Sequence, residues 1–107
     1  MARLTVHSVA TAPEAAKARV EAAEKNNGFL PNLIGVLANS PAALAMYQDV
    51  GALNATTSLS AGEREVVQIT AASVHGCDFC VAGHTAIALK KAGLVRSTRG
   101  AAGGCAL

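Results

Sequence analysis

The sequence predicts an all-α fold, and three observations carry the prediction. Apolar residues recur at the three-and-four spacing of helices, and start and stop signals bracket most of those runs. No stretch alternates apolar and polar residues between turns as a strand would. Thr11-Ala12-Pro13-Glu14 carries a capping-box pattern with an early proline, and the Ala-rich run to about Asn26 has helix-favouring composition. Asn26-Asn27-Gly28 ends this first helix, because Asn and Gly accept the left-handed conformation that closes a helix. A short second helical piece is expected over residues 31 to 38. Ser40-Pro41 then supplies the N-cap and first residue of a third helix, along which Leu44, Tyr47, Val50 and Leu53 recur at helical spacing.

Ser60-Ala61-Gly62-Glu63 is a second capping box, opening a fourth helix through Val66, Val67, Ile69, Ala71 and Val74 until Gly76 interrupts it. A fifth helix runs from Asp78 to about Lys91, with Lys90 and Lys91 in the last turn, where they suit the helix dipole, and Gly93 as terminator. After Val95 the periodicity stops and glycines crowd together. The expected organisation is therefore one helical domain over residues 1–95 and a loose Gly-rich tail over residues 96–107.

A chain of 107 residues is too short for two cores of ordinary size. Its apolar fraction is 51% but aromatics are only 3%, so Ala and Gly supply much of the core and a lone subunit buries little apolar area per residue. Oligomerisation would relieve this. The formal net charge is +2 with basic residues scattered, which excludes a nucleic-acid stripe. The N-terminus lacks the apolar core of a signal peptide, and no segment offers the roughly 18 apolar residues of a membrane span, so a cytoplasmic location is expected. Neither a phosphate-cradling loop nor a nucleophile elbow is present, and no cofactor is expected. Of three cysteines, two form Cys77-Asp78-Phe79-Cys80; in a reducing compartment that spacing points to redox work or metal binding.

A thiol attacks as its thiolate, and a helix start and a nearby histidine both favour that form. At about 100° per residue, Cys77, Cys80, Val81, His84 and Ala88 fall on one stripe of the fifth helix, with His84 one turn after Cys80. Glu65 lies twelve residues before Cys77, or roughly 18 Å along a continuous helix, so the two could not meet in one straight helix. If Gly76 reverses the chain, Glu65 comes level with residue 87, within about one turn of His84. A carboxylate beside an imidazole orients it and raises its basicity, as a proton relay needs. Alternatively, Glu65 is a first-turn acid serving the dipole, and the cysteines and His84 merely line a core. Glu63 is committed to the capping box. His75 reads as a polar helix-end residue, His7 as a surface residue and Cys105 as an incidental free thiol.

The string Glu63-Arg64-Glu65-Val66-Val67, then Ala71-Ala72, then Cys77-Asp78-Phe79-Cys80-Val81-Ala82-Gly83-His84, and Lys91-Ala92-Gly93-Leu94 resembles the core signature of the alkyl hydroperoxidase D / carboxymuconolactone decarboxylase family. Upstream, Gly28-Phe29-Leu30-Pro31-Asn32 and Ser40-Pro41 are similar to elements found before that core, so the resemblance covers roughly residues 3 to 95. It implies an all-helical fold assembled into trimers or hexamers, and hydroperoxide reduction with electrons from an external thiol or dithiol. By the same resemblance Cys80 attacks the peroxide, Cys77 resolves it, His84 is the adjacent base and Glu65 the relay carboxylate. The decarboxylase branch generally lacks the cysteine pair, so Cys-x-x-Cys favours the redox branch. Two departures stand out. Phe79 occupies the position before the second cysteine where well-known hydroperoxidases carry histidine, and the Gly-rich tail replaces further helices, so a neighbouring subunit is expected to complete the site wall or the wall is missing. A structural metal module using Cys77, Cys80 and His84 with Cys105 or His75 is the alternative from another class, and a lactone decarboxylase is the third reading.

Overall fold

A computed structural model describes residues 3–94, and all regular structure among them is helical. The elements are α1 (Glu14–Asn27), α2 (Asn32–Leu37), α3 (Pro41–Asn54), α4 (Ala61–Val74) and α5 (Asp78–Lys90). The Gly-rich tail and Cys105 lie outside the described residues. Among those described, no helix is long and apolar enough to cross a membrane. The chain divides into two compact units, Met1–Thr56 with α1 to α3 and Thr57–Leu107 with α4 and α5.

The first unit is built on small side chains. Its core is Ala16, Val20, Ala23, Ile34, Ala38 and Leu44, of which Val20 and Leu44 are the largest that are fully buried. Gly28, in the left-handed conformation at φ 79°, closes α1 as expected, its N–H donating to the Glu24 carbonyl. The start of α1 differs from the capping box expected at Thr11. Pro13 is the N-cap with no side-chain cap bond, because the Thr11 hydroxyl is occupied in an earlier turn, where it accepts from the Ser8 N–H at 2.9 Å. Ser40 caps α3 with Pro41 at its first position, as expected, and Leu44 reaches the core. Tyr47, Val50 and Leu53, which continue the same apolar spacing, remain exposed.

His7 is half-buried rather than the surface residue expected, because the N-terminal segment lies against α2. Its N–H donates to the Gly35 carbonyl at 3.1 Å, and a Cβ on Gly35 would stand 2.5 Å from the His7 carbonyl oxygen. Asn39 Nδ2 donates to the carbonyls of Thr5 and Val36. That fixes Asn39 Oδ1 as an acceptor, so the His7 Nε2 3.2 Å away must carry the hydrogen.

In the second unit α4 and α5 form an antiparallel hairpin. Ser60 opens α4 with both halves of the capping box: its hydroxyl accepts from the Glu63 N–H, and its own N–H donates to Glu63 Oε2 at 2.7 Å. Gly76, at φ 68°, makes the reversal that a residue with a Cβ would adopt only with strain, and the Cys77 N–H donates back to the Ala72 carbonyl. Ala72 on α4 and Ala88 on α5 are its buried apolar side chains, small enough for close helix approach, and Glu65 is buried with them.

Candidate active site

The hairpin sets the site's geometry from two directions. On α4, Glu65 and Ala72 are separated by two helical turns and share the buried face. On α5, His84 lies one turn before the buried Ala88, and Cys80 one turn before His84. The result is a hydrogen bond of 2.8 Å between His84 Nδ1 and Glu65 Oε2 across the hairpin. The expected pairing of these residues is therefore present, although Glu65 meets residue 84 and not the level position 87. Three residues are about 4.5 Å of helix axis, a distance the glutamate side chain spans.

Glu65 is only 8% exposed, and a buried carboxylate must be met by hydrogen-bond donors. His84 supplies one. Gln68 supplies another, Nε2 donating to Glu65 Oε1 at 3.4 Å. Sequence reasoning did not single out Gln68, although the signal was there: it stands three residues after Glu65, a spacing at which helical side chains meet. An ionised carboxylate only accepts, so the hydrogen between Glu65 and a neutral His84 sits on Nδ1. The lone pair is then on Nε2, free to take a proton.

Cys77 and Cys80 form a disulfide, with their Cα atoms 5.3 Å apart, and both residues are half-buried. Cys77 is the N-cap of α5: its Sγ accepts from the Cys80 N–H at 3.3 Å, taking the place usually held by a serine or aspartate oxygen. Among the described residues no hydrogen bond joins His84 to either sulfur of the oxidised pair. The structure thus joins Glu65 to His84 and Cys77 to Cys80, and sets the two pairs one helical turn apart on α5.

The other titratable candidates lie apart from this pairing. Glu63 serves the α4 cap, where first the Ser60 N–H and then the Ser60 hydroxyl hold its carboxyl below the ordinary carboxylate value. His75 is exposed as the C-cap of α4. Phe79, 57% exposed, stands beside Cys80. Among the described residues no group of three or more His, Cys, Asp or Glu side chains is arranged to hold a metal ion. An imidazole held by a carboxylate one helical turn from a sulfur pair is an arrangement chemically suited to exchange protons with a thiol.

The family model described as "Carboxymuconolactone decarboxylase family" matches residues 41–99, from the start of α3 through α5. A search of curated proteins finds no match.

Proposed function

The chain belongs to the carboxymuconolactone decarboxylase family, which includes alkyl hydroperoxidase D-like proteins, and we propose that it is a thiol-dependent peroxidase of that redox type. The observation that carries the reading is the Cys77–Cys80 disulfide at the start of the same helix on which Glu65 holds His84 by hydrogen bond. A lactone decarboxylase has no use for a reversible sulfur pair.

In the reduced protein, His84 Nε2 takes the Cys80 proton, and the resulting imidazolium is stabilised by Glu65. The Cys80 thiolate attacks one peroxide oxygen; the S–O bond forms, the O–O bond breaks, and the leaving alkoxide takes the proton from His84 to depart as an alcohol. Cys80 is then a sulfenic acid. The Cys77 thiol attacks that sulfur, the S–S bond forms, and the hydroxyl leaves with the thiol proton as water. An external thiol or dithiol returns two electrons, emerging as its own disulfide. Cycling by thiol donors suits a reducing cytoplasm. The reading includes a homo-oligomer, a trimer or hexamer, supported by the small-residue packing of both units.

The test supplies an organic hydroperoxide with dithiothreitol to the reduced protein. Peroxide loss should be catalytic with dithiothreitol, one equivalent should form one Cys77–Cys80 disulfide once the dithiothreitol is removed, and Cys80→Ser should abolish both. Release of carbon dioxide from carboxymuconolactone with no peroxide consumption would replace this reading by the decarboxylase one.

A further inference from the structure

Reduction of a disulfide has a direction, because the incoming thiol attacks one sulfur and expels the other. We propose that in this protein the thiol attacks Cys80 and Cys77 leaves as the thiolate. The inference rests on the thiol-reducible pair in the reading above, and not on peroxide being the oxidant.

Cys77 is the N-cap of α5 and its Sγ already accepts the Cys80 N–H at 3.3 Å. The first turn of a helix holds N–H groups without intrahelical partners, and their partial positive charge favours an anion there. A thiolate is a stronger acceptor than a disulfide sulfur, so this bond strengthens as charge develops on Cys77. Cys80 lies inside the helix, and among the described residues its Sγ accepts no hydrogen bond. Exchange is faster when the charge on the departing sulfur is better stabilised, and the contact to the Cys80 N–H gives Cys77 that stabilisation at the moment of cleavage. The negative charge of Asp78 in the same turn opposes an anion, but its side chain is exposed and solvent-screened, whereas the N–H is in direct contact.

The two steps then use different groups. First, an external thiolate RS⁻ attacks Cys80, forming RS–S–Cys80 and releasing Cys77 as a thiolate at its cap position, which then takes up from solvent the proton that the external thiol lost. Second, another thiol RSH gives its proton to His84 Nε2 and its sulfur attacks the external sulfur of that mixed disulfide, forming RS–SR, while Cys80 leaves and takes that proton from His84, one turn along the helix. The cap assists the first departure and the imidazole the second.

The test mixes oxidised protein with excess glutathione, quenches within the first turnover into acid with methyl methanethiosulfonate, and maps the peptides. Glutathione should be found on Cys80, with Cys77 blocked by the reagent, in severalfold excess over the reverse arrangement. His84→Ala should accumulate more of the Cys80 adduct, because only the second departure is slowed. Glutathione predominantly on Cys77 in the unsubstituted protein would overturn the assignment. A protein that gives the Cys80 adduct but is inert to peroxides would remove the peroxidase reading and leave this one in place.

Discussion

At the residue scale Glu65 is the buried carboxylate that the hairpin must accommodate, because such a group taken out of water is tolerated only with donors on its oxygens, and here those donors are His84 and Gln68. On the proposed reading, His84→Ala removes the proton acceptor of Cys80 and should slow its reaction with peroxide by about 100-fold to 10,000-fold, the usual worth of general acid–base help. Glu65→Gln keeps an imidazole beside Cys80 but weakens its orientation, so its effect should be smaller. Both effects should shrink as pH rises past the thiol pKa, where Cys80 ionises unaided; stopped-flow oxidation rates against pH in the three proteins check this. Equal rates at neutral pH would reduce Glu65 and His84 to packing residues. This pair was legible in the sequence because a glycine-centred reversal brings two helices into register by arithmetic alone. Gly35 was not. Its need to lack a Cβ arises from the His7 carbonyl, twenty-eight residues earlier, and no local pattern announces a backbone passing that close. Gly35→Ala should cost about 1 to 3 kcal/mol by overpacking, read as a lower denaturant midpoint at unchanged slope.

At the scale of elements, α4 is the helix whose start is most firmly specified, since Ser60 and Glu63 satisfy one another's backbone donors. Ser60→Ala should destabilise the protein by about 1 kcal/mol. The Glu63 half of the box is pH-dependent, and its sign follows from the direction of the shift. The folded-state carboxyl is held below the ordinary carboxylate value, so its contribution is present above that value and lost as pH falls through the lower, folded one. The difference in thermal midpoint between the unsubstituted protein and Glu63→Ala should therefore close on acidification; a difference that stays constant to low pH would mean the carboxylate contributes nothing through its charge. The five helices were legible because capping residues, glycines and apolar spacing are local signals. The same signals misplace the start of α1, where Thr11 has the right residue type but its hydroxyl is taken by the Ser8 N–H, a choice made by the N-terminal turn. They place α3 over Leu44, Tyr47, Val50 and Leu53 as the structure does, yet past Leu44 that apolar spacing runs into residues that stay exposed. Periodicity reports which face of a helix is apolar and is silent on which neighbour covers it.

For the whole molecule, that silence bears on assembly. Among the described residues the first unit buries six apolar side chains, three of them alanines, and in the second unit the buried apolar side chains are Ala72 and Ala88. Fully burying a large aliphatic side chain is worth about 1.5 to 3 kcal/mol, and an alanine contributes much less, so neither unit commands the burial on which a small domain ordinarily depends. Meanwhile Val66, Val67 and Val74 on α4, and Met46, Val50 and Leu53 on α3, each lie more than half exposed. Association that covered these side chains would add to the stabilisation of the folded chain and would make stability depend on protein concentration. We therefore expect a homo-oligomer, a trimer or hexamer, at micromolar concentration in light scattering. Its thermal midpoint should rise with dilution reversed, that is, with each increase in concentration. A monomeric mass with a concentration-independent midpoint would sink the expectation, and would require the small cores of the two units to suffice alone. Substituting Val66 by a charged residue separates the cases: in an oligomer that buries this face the mass should fall and the midpoint drop with it, whereas on a free surface a change of this kind stays within about 0.5 kcal/mol.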